Sequence, residues 1–192
     1  LVSDRGGALR IYEETGEGAA RLAGSRDPGD RSWSDTMPAR LPDGRIVFVS
    51  DRDGNPEIYI AAADGGASRL TFDPSDRRAA DSGPAPLGRD RIVFARTEAS
   101  AVPGAPRDLF AMRLDGSGMT RLTRHSADDG EPSATGDGRS IVFVSGRTGT
   151  ARIHLIPDAQ AADPEAAAVC LSDFELPRSS AAPGGRASED TA

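Results

Sequence analysis

Apolar positions along the chain fall in short bursts separated by stretches rich in Gly, Asp and Pro, without the i, i+3, i+4 recurrence of a surface helix. The bursts are of two kinds. Ile46-Val47-Phe48-Val49, Ile92-Val93-Phe94-Ala95 and Ile141-Val142-Phe143-Val144 are apolar at consecutive positions, β-branched and aromatic. That pattern predicts strands covered on both faces. Each is followed by a second segment: Ile58-Tyr59-Ile60, Leu109-Phe110-Ala111 and Ile153-His154-Leu155. The stretch Glu57-Ile58-Tyr59-Ile60 alternates better, which predicts a strand nearer an edge. Between the two kinds lie Asp51-Arg52-Asp53-Gly54-Asn55 and Gly146-Arg147-Thr148-Gly149, compositions able to adopt the positive φ of tight turns. The Ala-rich patch Ala159 to Ala168, interrupted by Pro164, predicts an insertion with a helical turn.

The bursts repeat. The three Ile-Val-Phe segments start 46 and 49 residues apart, and each follows a turn: Pro42-Asp43-Gly44-Arg45, Gly88-Arg89-Asp90-Arg91 and Gly136-Asp137-Gly138-Arg139. A third landmark is Arg21-Leu22, Arg69-Leu70-Thr71 and Arg121-Leu122-Thr123, with Cys170-Leu171-Ser172 as a weaker copy. Leu9-Arg10-Ile11-Tyr12 supplies a further copy of the Ile-Tyr segment. One repeat therefore reads as four strands: a Pro-containing strand, the Ile-Val-Phe strand, the Ile-Tyr strand and the Arg-Leu-Thr strand. A four-stranded antiparallel unit at this period is a propeller blade, and radial stacking explains the double-sided burial. A β-sandwich is also all-β, but it does not require near-identical motifs at a fixed interval. The expected fold is an all-β propeller with about four blades, the first partial, at residues 1–24, 35–71, 81–123 and 129–172. An open arc of a larger ring is favoured over a closed ring of four. Residues 173–192 lack apolar periodicity and read as a mobile tail.

Charge and composition narrow the function. The 23 basic residues are all Arg, against 30 acidic ones, for a net charge of −7. That balance opposes a general nucleic-acid or anionic-membrane binder. A single cysteine, Cys170, precludes an internal disulfide framework and a multi-cysteine zinc site. No apolar run approaches a membrane span, and nothing within the chain reads as a signal peptide.

The stretch from Asp43 through Ser50-Asp51-Arg52 to Ile58-Tyr59, closing on Leu70-Thr71, resembles the TolB-type propeller repeat, a WD40-like repeat without its Trp-Asp dipeptide. The resemblance covers about residues 1–172. It departs from the pattern in three ways: the usual strand-A tryptophan is missing, Glu98 to Pro106 lengthens a turn, and His154 stands at a tyrosine position. What the resemblance implies is a six-bladed scaffold at the bacterial cell envelope, periplasmic or extracellular, that binds a protein or peptide. Similar propellers cap prolyl-oligopeptidase-type serine peptidases and gate substrate access, and that is the alternative reading. Others belong to lyases that use a histidine-rich metal site.

Candidate chemistry is sparse. Asp35-x-x-Pro38, Asp81-x-x-Pro84 and Asp129-x-x-Pro132 put an aspartate at the start of the innermost strand of three blades. Such carboxylates could ring a channel mouth and attract a basic segment. Each could equally accept backbone N–H bonds in its own loop, and repetition once per blade favours that role. His125 precedes Asp129 and could join a mouth site. Asp51-x-Asp53-x-Asn55 resembles the start of a calcium loop, but Pro56 stands where that loop needs Gly, so a hairpin turn is preferred. Gly16-x-Gly18 is a phosphate-loop fragment explained by its equivalence to the turns at Gly66 and Gly118. There is no Gly-x-Ser-x-Gly elbow, and His125 and His154 make a poor metal set. The expectation is a non-catalytic binding module without cofactor or metal.

Overall fold

The computed structural model describes residues 2–4, 8–15, 18–21, 32–61, 66–72, 79–97 and 104–172. The tail at 173–192, the tip of the lengthened turn at 98–103 and Gly16 lie outside the described residues.

The strands form in the order that the repeat predicts. The first sheet holds β1 (Val2–Ser3), β2 (Arg10–Thr15) and β3 (Gly18–Arg21). The second runs β4 (Asp35–Arg40), β5 (Ile46–Ser50), β6 (Glu57–Ala61), β7 (Ala67–Arg69). The third runs β8 (Ala80–Leu87), β9 (Arg91–Thr97), β10 (Arg107–Arg113), β11 (Thr120–Arg121). The fourth runs β12 (Asp129–Ala134), β13 (Ile141–Ser145), β14 (Arg152–Ile156), β15 (Val169–Cys170). Every pairing is antiparallel between sequence neighbours, so each four-stranded sheet is a meander. The first strands β4, β8 and β12 lie against one another across the sheet boundaries, which makes them the inner strands.

Stacking of the sheets buries the cores. Val47, Ile58 and Ile60 of the second sheet pack against Ile92, Phe94, Phe110 and Met112 of the third. The opposite face of the third sheet, Val93, Ala95, Leu109 and Ala111, packs against Ile141, Phe143 and Ile156 of the fourth. Strand β9 is thus apolar on consecutive positions because alternate residues serve two different cores. The same stacking corrects the expectation for the third strand of a repeat. All five residues of β6 are buried, including Glu57, so it is no nearer an edge than β5. In β13 the prediction of two covered faces fails instead. Val142 and Val144 are only half-buried, and Ile153, opposite Val144 on β14, is exposed, because this face looks away from the third sheet.

The Ala-rich insertion follows β14 and contains one 3-10 turn, Glu165–Ala167. Ala159 is drawn into the core between the third and fourth sheets, and its amide donates to the Arg139 carbonyl at 2.7 Å.

Candidate functional site

Each inner strand carries the Asp-x-x-Pro motif, and the motif builds two features. The first is an ion pair at the end of the sheet. Asp35, Asp81 and Asp129 are all buried, with relative exposures of 3%, 2% and 0%. Each meets an arginine: Arg52 and Arg147 come from the turn after the second strand of their sheet, and Arg96 from the second strand itself. Arg52 Nη2 donates to Asp35 at 2.8 Å, and Arg147 Nη2 donates to Asp129 at 2.8 Å. Arg96 holds Asp81 by two bonds, Nε to Oδ1 at 2.6 Å and Nη2 to Oδ2 at 2.8 Å. The route differs between sheets. Arg96 stands directly across the ladder from Asp81, whereas Ser50 and Ser145 stand across from Asp35 and Asp129. Those serines accept from Arg52 Nε at 2.9 Å and Arg147 Nε at 3.0 Å, and so aim arginines lying two residues further on. The turn with Gly146 in place of Asp51 therefore keeps the arginine and its function.

The second feature is a bulge. Pairing of the inner strand with the second strand slips between Thr36 and Ala39, between Ser82 and Ala85, and between Gly130 and Ser133. The residue before each proline takes a positive φ: Met37 at 48°, Gly83 at 57° and Glu131 at 50°. For Met37 and Glu131 this left-handed backbone is strained, and strain of this kind persists only where the surroundings enforce it. The bulges align across the sheets. The Gly83 amide nitrogen lies 3.3 Å from Met37 Sδ, and a Cβ on Gly83 would lie 3.5 Å from Pro132 Cδ. Met37 is 48% exposed and the Glu131 side chain 67%, so the row presents one apolar and one acidic side chain on the inner strands. The Asp-x-x-Pro spacing was visible in the sequence, but its slipped pairing was not.

A second series of acid–arginine pairs joins the outer strands and escaped the sequence reading. Glu57 accepts from Arg69 Nη2 at 2.7 Å, and Asp108 forms a 2.5 Å pair with Arg121. The detectable signal was an acid two residues before Tyr59 or Phe110, matched by the arginine of the Arg-Leu landmark. In the fourth sheet the corresponding positions are Arg152 and Cys170, so this pair is missing there. Neighbouring sheets are tied at the same end. Asn55 Nδ2 donates to Glu57 Oε1 at 2.7 Å and to the Ala79 carbonyl at 3.1 Å, and the Asp81 amide donates to the Pro56 carbonyl at 2.9 Å. Arg107 clamps Asp128 through its amide, Nε and Nη2, at 2.9, 3.0 and 2.7 Å.

These surroundings set the ionisation of the acids. Burial pushes the Asp81 carboxyl above the ordinary range despite the bonds from Arg96 and Thr71. Burial likewise raises Asp108, against the pull of Arg121. The hydrogen bonds from Arg107 hold Asp128 below the ordinary range. Burial and the bond donated to Asp53 push the Tyr59 hydroxyl well above the ordinary phenol range.

His125 lies in the loop leading into β12, at the same end as Asp129. It is half-buried, and its Nδ1 accepts from the Ala127 amide at 3.0 Å. His154 is buried and packs against Phe143 with the rings tilted at 37° and centroids 5.6 Å apart, and its Nε2 has no hydrogen-bond partner. Asp51, Asp53 and Asn55 do not converge. Asp51 accepts from the Ser34 amide at 2.5 Å, Asp53 from Tyr59 and Arg69, and the Asn55 amide points to Glu57. Among the described residues no group of three His, Cys, Asp or Glu side chains could hold a metal ion.

Four-stranded meanders stacked through their faces around adjacent inner strands are β-propeller blades. The repeats are of the TolB-like type. The chain is 35% identical over 148 residues to the Tol-Pal system protein TolB of Bordetella pertussis, covering 76% of this chain and 31% of that protein. It is 26% identical over 172 residues to the uncharacterized peptidase YuxL of Bacillus subtilis, covering 73% of this chain and 25% of that one. The structure superposes on TolB from Acinetobacter baumannii with a TM-score of 0.61 at 17% identity, covering 91% of this chain and 40% of that one. No family model matches the chain. The chain thus spans about a quarter to a third of the length of the curated relatives it matches.

Proposed function

We propose that this chain is a non-catalytic propeller scaffold that binds a protein or peptide partner at the inner-strand end marked by Asp35, Asp81, Asp129 and His125. The observation that carries this reading is the aligned row of bulges. Met37 and Glu131 adopt strained backbone while their side chains stay exposed. Within the chain these side chains gain only a 3.3 Å contact from the Gly83 amide to Met37 Sδ and a 3.8 Å pair of Glu131 with Arg107, and their remaining exposed surface points to contact with a partner. The three buried aspartate–arginine pairs serve this by fixing the turns around the row. The aspartates are then supports, and the groups offered to a partner are Met37, Glu131 and the loop surfaces. Similarity to a Tol-Pal system TolB makes a bacterial envelope protein the first partner to try, in the periplasm. Among the described residues no helix is long and apolar enough to cross a membrane.

The test is affinity capture with purified Tol-Pal partners from the source organism, comparing the unaltered chain with a Met37→Ala/Glu131→Ala variant. A partner retained by the first and released by the second, with both folded by circular dichroism, supports the reading. Equal retention by both, or no retention of any candidate, rejects it.

A further inference from the structure

The Ala-rich insertion creates a pocket that the propeller repeat does not predict. A cavity of about 340 Å³ opens between the outer edge of the third sheet and the insertion. Arg91, Thr120, Arg121 and Arg124 line one side, and Ala159 to Ala162 with Pro164 line the other. The wall is anchored at both ends. The Ala159 amide bonds the Arg139 carbonyl at 2.7 Å, and Glu165 accepts from the Arg124 amide at 2.7 Å and from Arg147 at 3.2 Å. Its apolar surface comes from the insertion wall, where Ala161 is half-buried and Ala162 exposed, whereas Leu122 and Ala159 are themselves buried in the core between the third and fourth sheets.

The charge pattern is the informative part. This is an acidic chain, with 30 carboxylates for 23 guanidiniums, and the half-buried arginines Arg52, Arg96 and Arg147 are matched to acids. In the pocket, Arg121 is engaged by Asp108, but the guanidiniums of Arg91 and Arg124 form no ion pair with a described residue. Among the described residues no acidic side chain lines the cavity, and nearby Glu165 is already shared between Arg147 and the Arg124 backbone. Two guanidiniums without an ion pair, in one cavity with Ala161 and Ala162, suit a ligand with an anionic head and a short hydrocarbon body, since Arg forks onto planar carboxylate or phosphate oxygens. The volume lies at the small end of ligand pockets, whose usual range begins at roughly 300 Å³.

We propose that this pocket binds a small organic anion, with the carboxylate or phosphate on Arg91 and Arg124 and the apolar part on Ala161 and Ala162. The site is independent of the partner-binding row on the inner strands. Phenyl phosphate and phenylacetate serve as probes that distinguish the two head groups, followed by isothermal titration at low salt. Expected is binding of at least one probe, weakened at least tenfold in Arg91→Gln/Arg124→Gln and unchanged in Arg89→Gln, which removes an exposed arginine elsewhere. Ala161→Trp, which obstructs the cavity without changing charge, abolishes binding as well. The proposal is overturned if neither probe binds, if Arg89→Gln weakens binding as much as the double variant, or if Ala161→Trp, folded by its melting transition, binds normally.

Discussion

Arg96 grips Asp81 through two parallel hydrogen bonds of 2.6 and 2.8 Å, both groups nearly excluded from solvent at the boundary between the second and third sheets. Glu57 of the preceding blade lies 3.9 Å from the same guanidinium, so one arginine serves two blades. Removing one partner of a buried pair strands the other charge, which costs about 3–5 kcal/mol. Asp81→Ala is therefore expected to lower stability by that amount in urea unfolding. Asp81→Ala/Arg96→Met, which strands neither partner, should recover part of the loss.

The raised carboxyls of Asp81 and Asp108 have a consequence for pH. A folded state that holds protons more tightly than the unfolded one is favoured at low pH, and that stability is lost as pH rises through the folded pKa. The window lies above the ordinary carboxyl value of 3.8. Stability should therefore rise as pH falls from neutral toward that value, before the lowered carboxyl of Asp128 begins to protonate. In Asp81→Asn/Asp108→Asn the rise should flatten, as read from urea midpoints at stepped pH.

His154 occupies the place that Phe110 and Tyr59 fill in the other blades, but leaves Nε2 buried without a partner. An unsatisfied buried polar atom costs about 1–3 kcal/mol. His154→Phe should raise the melting temperature, because Phe can stack on Phe143 as Phe110 stacks on Phe94, with nothing left unpaired.

Tyr59 donates to Asp53, and its phenol resists ionisation because it is buried. A phenol pKa raised by folding contributes stability below the ordinary value and loses it as pH rises. Tyr59→Phe should cost about 1 kcal/mol at pH 7, the usual net worth of one hydrogen bond. In an alkaline absorbance titration it should remove the late-ionising tyrosine.

Gly44 and Gly138 sit in equivalent Asp-Gly-Arg turns, with φ of 90° and 71°. A Cβ on Gly44 would meet nothing within 4 Å, whereas one on Gly138 would lie 2.7 Å from the Gly88 nitrogen and 2.8 Å from its Cα. Gly44→Ala should cost only the penalty of positive φ, about 1–2 kcal/mol. Gly138→Ala should cost clearly more in the same denaturation assay, since two backbones must part.

That last pair separates the two sources of information. The repeat, its four strands and their turns could be read from sequence because they are local: β-branched runs, Asp-Gly turns and a fixed interval all report on neighbours along the chain. The helical turn in the insertion and the position of Asp35, Asp81 and Asp129 at the entry to β4, β8 and β12 were legible for the same reason. Tertiary contacts decided the rest. Stacking buried all of β6, left one face of β13 half-open, and brought Gly88 against Gly138. It also chose which arginine meets each aspartate, by two different routes. The aligned bulges and the arginine pocket arise where separate repeats meet, and the spacing within any one repeat carries no information about that meeting.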